Sequence, residues 1–249
     1  MTVLFFSLFF LYAIGLSIGL ARQGHRSGAV RSGEAPAEHP TRVLIIGATG
    51  GTGRQLVAQA LERGLTVTAL VRNPARLGVA HSRLTVIQGD VLDIASLDAA
   101  MHGQEAVLSA LGHRRYFSPI RVLSEGTGNI VSAMERHGVR RLVCETSLGI
   151  GDSAGRMGLY YTFFVIPVIL PWYFWDKTRQ ERVIAGSKVD WVIVRPAVLT
   201  NGPKRGRVRH GSRVGSFLWT ARVSRADVAA FMLDQLASNT YLGAAPGLA

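Results

Sequence analysis

The chain of 249 residues holds a single cysteine, Cys144. No intrachain disulfide can form from it, and no cysteine-based metal site can be assembled. Its setting, LVCETS, is apolar, so the expected role is a small buried thiol. The 7 histidines never fall at a metal-ligand spacing, and no bound metal is expected. One lone cysteine fits a reducing compartment. Acidic residues are scarce as well: 16 Asp plus Glu stand against 28 Lys plus Arg, a formal charge of +12. That excess fits either nucleic acid or an anionic membrane surface. The basic residues are scattered as singles and pairs, without a long basic run or a DNA- or RNA-binding motif, so nucleic acid is not an expected partner.

Charge is missing altogether from residues 2–21, which are mostly Leu, Phe, Ile, Val, Gly and Ala. About twenty apolar residues is the length a helix needs to cross a bilayer. Arg22, His25, Arg26 and Arg31 follow directly, and basic residues on that flank favour keeping the rest of the chain in the cytoplasm. Residues 1–21 are therefore expected to form a transmembrane anchor, and residues 22–40, rich in Gly, Ser, Ala, Glu and Pro, a flexible tether. The alternatives are a cleaved signal, which would lack its usual positive n-region, or a start codon placed too early on a soluble cytoplasmic protein.

What is present points to an α/β domain over residues 41–249. The stretch RVLIIGATGGTGRQLVAQALERG, residues 42–64, opens on a continuous apolar run, as expected of a strand buried on both faces of a parallel sheet. Gly47, Gly50 and Gly53 follow at three-residue spacing, and Leu56, Val57, Ala60 and Leu61 continue at helical spacing. A strand, a glycine turn and a helix in that order form the context in which such a turn binds a dinucleotide. Glycine permits the tight turn and the close approach of backbone to pyrophosphate, and the helix N-terminus offers free N–H groups to the anion. A second strand, 66–71, ends at Arg72, where an NAD-preferring chain places a carboxylate for the ribose 2′-hydroxyl. An arginine there suits the 2′-phosphate of NADP, with Arg76 as the second half of a clamp. Further strands are expected at 84–87, 106–111, 141–145 and 191–195, with a helix near 124–137, giving a Rossmann-type doubly wound parallel sheet.

With those elements placed, the chain resembles the atypical short-chain dehydrogenase/reductases, and within them the NADPH-dependent flavin reductase or biliverdin-IXβ reductase family. The matching segments are GATGGTG, ALVRNPARL, QGDVLD, SPIRVLSEGTGNIVSAMERHGVRRLVCETS and VSRADVAAFMLDQL, spanning roughly residues 42–242. The resemblance implies a cofactor cradle at Gly47, Thr49, Gly50, Gly51, Thr52 and Gly53, with Arg72, Arg76, Asp90, Val91, Leu111 and Gly112, and Ser147 facing the nicotinamide of NADP(H). In the flavin-reductase branch a histidine follows the sixth strand; here that region reads RPAVLTNGP, with Val198 and no histidine.

Tyr173 and Lys177 have the separation of the Tyr–Lys pair of short-chain reductases, which places both on one face of a helix. The lysine charge is then expected to lower the tyrosine pKa, so that the phenol exchanges a proton during hydride transfer. Otherwise Tyr173 is one aromatic in an apolar patch and Lys177 opens a solvated helix with Glu181. Residues 157–175 carry no charge, and Pro167 and Pro171 argue against an unbroken spanning helix. That segment is a lid over a lipophilic substrate, a surface resting on the membrane, or core and dimer packing. The expected activity is an NADPH-dependent reductase that passes hydride to a flavin, quinone or other planar apolar acceptor. The alternative is a non-catalytic NADP(H)-binding regulatory or assembly module. Nucleotide-sugar epimerisation is weaker, because the region after Pro196 is short for a sugar domain.

Overall fold

Short apolar runs become the buried strands of one parallel sheet in the computed structural model, which describes residues 2–23, 39–113 and 115–249. The strands are β1 (Arg42–Ile46), β2 (Thr66–Val71), β3 (Leu84–Gln88), β4 (Ala106–Ser109), β5 (Arg141–Glu145) and β6 (Asp190–Pro196). They lie in the order β3-β2-β1-β4-β5-β6, all parallel. This is the doubly wound order, which reverses between β1 and β4 and opens a crevice at their carboxyl ends. Alternate residues feed two cores. Val43 and Ile45 pack toward α2 (Gly51–Glu62) and α6 (Arg225–Asp234); Leu44 and Ile46 pack toward α3 (Ile94–Met101) and α4 (Val122–His137). α5 (Pro171–Ala185) lies against α4. Pro171 stands in its first turn, where its missing N–H has no helical partner to lose.

Late in the chain the structure adds strands that periodicity does not announce. β7 (Val198–Thr200) pairs with β9 (Arg222–Ser224) as a separate two-stranded sheet. β10 (Gly247–Leu248) extends the main sheet beside β6, and β8 (His210–Gly211) closes that edge antiparallel to it. Strands of two or three residues carry too few positions for an alternation to show.

The amino-terminal apolar run forms a helix, α1 (Thr2–Gln23), but the expected anchor is not supported: among the described residues, no helix is long and apolar enough to cross a membrane. Instead α1 lies along the body. Ala13 and Leu20 are buried, and the Tyr12 hydroxyl donates to the Pro167 carbonyl at 3.2 Å. The tether expected at 22–40 falls largely on residues outside those described, as do His25, Arg26 and Arg31.

Cys144 is buried on β5, where its sulfur accepts from Gln180 Nε2 at 3.5 Å, and burial pushes the thiol up to about 11. Because the thiolate is the reactive form, iodoacetamide at neutral pH should label the native chain roughly a hundredfold more slowly than the unfolded one. Equal rates would show that Cys144 is reachable and ionised in the native state.

Candidate functional site

The crevice between β1 and β4 is bounded by the glycine turn. Gly47 has φ +78°, and an added Cβ would collide with the Ala110 carbonyl at the exit of β4. A Cβ on Gly53 would strike the Gly47 carbonyl. Both positions therefore require glycine, one for its conformation and one for the close packing of helix on strand. The Gly50 N–H donates to Gly47 O at 2.9 Å, and no side chain caps the first turn of α2. Its free N–H groups face the strand ends as an anion site does. These residues fit a dinucleotide pyrophosphate: the free amides of Gly51 and Thr52 would hold it, with Gly50 shaping the turn. Thr49 is half-buried in the turn, and the Thr52 hydroxyl donates to Glu145 Oε1 at 3.1 Å. Arg225, at the start of α6, crosses the turn, its Cδ and Nε 2.5 Å from where a Gly51 Cβ would stand. Its Nη1 is held by Asn201 Oδ1 at 2.6 Å. A guanidinium over the glycine turn is a further anion partner that the motif did not announce, although Ser224 three residues before Asp227 is the sequence mark of the helix start that positions it.

At the neighbouring corner, Arg72 follows β2 and Arg76 ends a short 3₁₀ turn, Pro74–Arg76; both are exposed. Among the described residues no carboxylate engages either guanidinium. Arg54 Nη2 donates to the Arg76 carbonyl at 2.7 Å, bringing a third guanidinium to this corner from α2. Asp90 Oδ1 accepts from Leu92 N at 3.0 Å, a turn-forming bond. Val91 is buried against Gly126, and its carbonyl accepts from Asn129 Nδ2 at 3.0 Å.

The far end of the crevice gathers Leu111, Gly112, Glu145, Tyr173 and Lys177. Lys177 is buried, with Nζ donating to the carbonyls of Glu145 (3.0 Å) and Leu111 (3.3 Å). Glu181 is buried too, which excludes the solvated-helix alternative. Lys177 Nζ lies 5.7 Å from the Tyr173 ring centroid. The expected lowering of the phenol pKa does not result. Burial holds Tyr173 above its ordinary value, and the Lys177 charge acts the other way without prevailing. Desolvation of the phenol outweighs the ammonium, which is bonded to the Glu145 and Leu111 carbonyls and lies over the ring. Burial likewise raises the Glu145 carboxyl above its ordinary range, opposed by Lys177, Thr52 and Arg225. Ser147 lies two residues beyond β5, its hydroxyl donating to the Leu148 carbonyl at 3.0 Å. Among the described residues no hydrogen bond joins it to Tyr173 or Lys177.

One residue here escaped the sequence reading. His113, just beyond Gly112, meets Tyr173 edge-on at 5.0 Å between centroids, with Tyr116 6.5 Å away. Its Nδ1 accepts from the Arg115 N–H at 3.2 Å. Burial holds its pKa below the ordinary histidine value, helped by the Lys177 and Arg115 charges and opposed by Asp176. A neutral ring whose Nδ1 accepts carries its proton on Nε2. That nitrogen is buried and, among the described residues, has no partner. Val198, where the resemblance would put a histidine, is half-buried in β7.

Behind the site, Arg195 on β6 makes a bidentate pair with Glu181 on α5 (2.9 and 2.7 Å) and also pairs with Asp152. The Thr146 hydroxyl donates to Glu181 Oε1 at 2.7 Å, which fixes the segment leading to Ser147.

Comparison with known proteins agrees with this geometry. Among solved structures, an anaerobilin reductase of Escherichia coli O157:H7 superposes with a TM-score of 0.69 at 23% identity, over 84% of this chain and 96% of that one. A short-chain dehydrogenase/reductase of Veillonella parvula, in complex with NADP, gives 0.68 at 22% identity, over 84% and 94%. In sequence, an uncharacterized chloroplast protein of Arabidopsis thaliana is 31% identical over 195 residues, 72% of this chain and 67% of that protein. The photosystem II assembly factor Ycf39 of Synechocystis is 33% identical over 105 residues, 41% of this chain and 32% of the factor, so the match spans about a third of its length. The profile of a family described as NAD(P)H-binding matches residues 47–239, from the first glycine of the turn to beyond α6. On that match and the strand–turn–helix cradle it begins in, the chain belongs to the NAD(P)H-binding family.

Proposed function

We propose that the chain is an NADPH-dependent reductase that passes hydride to a planar, apolar acceptor of the flavin or quinone type. The observation that carries this reading is the donor pair at the nicotinamide end of the crevice: the Tyr173 phenol and His113 Nε2–H, flanked by aromatic rings beside Gly112. Bound NADPH supplies the hydride; the protein needs to orient the acceptor and deliver a proton to the oxygen or nitrogen that becomes reduced. A phenol held above its ordinary pKa keeps its proton until charge develops on the acceptor, and a neutral imidazole donor holds the acceptor atom without adding charge. Lys177 acts as a positioning residue, fixing the exits of β4 and β5, and Ser147 offers a hydroxyl two residues beyond β5.

Purified full-length protein should oxidise NADPH in the presence of at least one flavin or quinone. Tyr173→Phe combined with His113→Phe should lower that rate by about a hundredfold or more with NADPH affinity kept, since general acids contribute ~10²–10⁴. Binding of NADPH with no turnover across a broad acceptor panel would end the reductase reading. It would favour a second one, an NADP(H)-binding assembly or regulatory module, which the partial similarity to an assembly factor supports. Ser147→Ala would then leave biological activity unchanged.

The exposed guanidinium groups of Arg72 and Arg76 support a preference for NADPH over NADH, with Arg72 as the main contact. Arg72→Asp should weaken NADPH binding at least about tenfold relative to NADH, because a charge-assisted bond to the 2′-phosphate is worth ~1.5–3 kcal/mol. A titration with unchanged NADPH affinity would remove Arg72 from the site.

A further inference from the structure

Three uncharged segments meet on one side of the molecule. Residues 2–21 form most of α1, residues 157–175 contain a π-helix, Tyr161–Ile169, and lead into α5, and residues 214–221 form a loop before β9. They are joined physically. The rings of Phe10 and Phe163 lie 5.8 Å apart and those of Phe163 and Phe217 6.1 Å apart, and the Gly158 N–H donates to Ser216 O at 2.9 Å. The inner sides of these segments are used by the fold: Ala13, Leu20, Met157, Val165, Ile166 and Val214 are buried. The outer sides are not. Leu11 is 65% exposed, Tyr160 61% and Trp219 77%, with Phe164, Trp172 and Phe217 open beside them. A contiguous aromatic and aliphatic surface of this kind on a chain with a full core marks a contact site.

The charges around it identify the contact. The residues that bound the three segments are Arg22, Arg156, Arg213 and Arg222, together with one acid, Asp176. Asp176 is buried and turned inward, accepting from Leu123 N and Ser124 N at the start of α4. The flanks of the three segments are therefore mainly cationic on a chain of net charge +12, the nearby Asp152 being paired with Arg195, and the segments themselves carry neither sign. An apolar face with Trp and Phe at its surface and arginines at its border is the pattern of elements that lie in a membrane interface, where aromatic rings sit at headgroup depth. An interface between two copies of the chain instead needs roughly one hydrogen bond per 100–200 Å², and this face offers little beyond a few hydroxyls. We propose that the outer face of α1, the π-helix and the 214–221 loop rests on an anionic bilayer as a docking surface that lies on the membrane without spanning it. This inference is independent of the reductase reading, since it concerns another face of the molecule.

Full-length protein floated with vesicles of phosphatidylcholine containing phosphatidylglycerol should travel with the lipid, and Trp fluorescence should shift to the blue. Binding should fall about tenfold when salt is raised from about 0.1 M to 1 M, where the screening length drops to ~3 Å. Phe217→Ser, Leu218→Ser and Trp219→Ser in one chain should reduce binding by about tenfold or more, from the loss of three inserting side chains. NADPH affinity, measured on the same preparation, should stay constant and reports that the variant is folded. Leu11→Glu with Ile14→Glu provides a second variant on a different element, with the same expectation. The proposal is overturned if the protein stays in the aqueous phase with these vesicles, or if both variants float as the parent does. Light scattering decides the rival occupant: a dimer in solution that both variants dissociate would make the face a contact between copies and overturn the lipid assignment.

Discussion

Gly47→Ala is expected to weaken NADP(H) binding by about a hundredfold, equivalent to ~3 kcal/mol, with the sheet retained. Position 47 sits at φ +78°, where an L side chain adds roughly 1 kcal/mol of backbone strain. The larger effect is steric. The new Cβ would point into the Ala110 carbonyl, and that carbonyl is no mobile side chain but backbone just beyond β4, where the Ala110 N–H is itself bonded to Ile46 O at 2.9 Å. The turn must give way instead, which carries the amides of Gly51 and Thr52 off the pyrophosphate. Losing one or two charge-assisted bonds, each ~1.5–3 kcal/mol, accounts for the expected loss. A fluorescence titration with NADPH measures it, and circular dichroism checks the sheet. An affinity within about threefold of the parent would mean that the dinucleotide does not use this turn.

Glu181→Ala is expected to be the most damaging single replacement for stability away from the glycines, at about 3 kcal/mol. Glu181 and Arg195 are 0% and 1% exposed, and two hydrogen bonds run between them. Removing the carboxylate strands a guanidinium where water cannot reach it and takes the acceptor from the Thr146 hydroxyl. The expected value sits at the lower end of the ~3–5 kcal/mol for a broken buried pair because Asp152 still engages Arg195. In a domain of this size that corresponds to a melting point lower by roughly 6–12 °C. Replacing both partners by apolar residues, Glu181→Leu with Arg195→Met, should recover much of the loss, since the desolvation of both charges disappears with them. A melting point for Glu181→Ala unchanged to within about 1 °C would show that the pair is solvated in solution.

Most of the central sheet was legible in the chain because a parallel sheet covered on both faces leaves continuous apolar runs, as in VLII before Gly47 and LVC in β5. The boundaries of β2 and β5 fall where the sequence reading put them, whereas β4 ends two residues earlier than the run predicts, since Ala110 and Leu111 already turn toward the crevice. The glycine turn was legible because steric demands at Gly47 and Gly53 select residue type. The Tyr173–Lys177 spacing correctly indicated a shared helix face, but spacing alone cannot say which atoms the ammonium meets, and two carbonyls, one ending β5 and one just beyond β4, took it. His113 and Arg225 were silent for a similar reason. Each becomes chemical only after β4 and α6 deliver it to a crevice built from distant segments. The apolar run at the amino terminus specified a helix, yet its burial against the π-helix depends on residues some 150 positions away.

The contrast between the two ends of the crevice has an evolutionary consequence. Where hydride would leave the cofactor, a buried ammonium locks two strands to a helix, and almost any replacement there disturbs several elements together. Where the adenosine half would lie, solvent-facing guanidinium groups hang from a short loop that bears no weight. On the proposed role of Arg72, coenzyme choice would drift from one nicotinamide nucleotide to the other through loop substitutions alone, leaving the reacting end untouched.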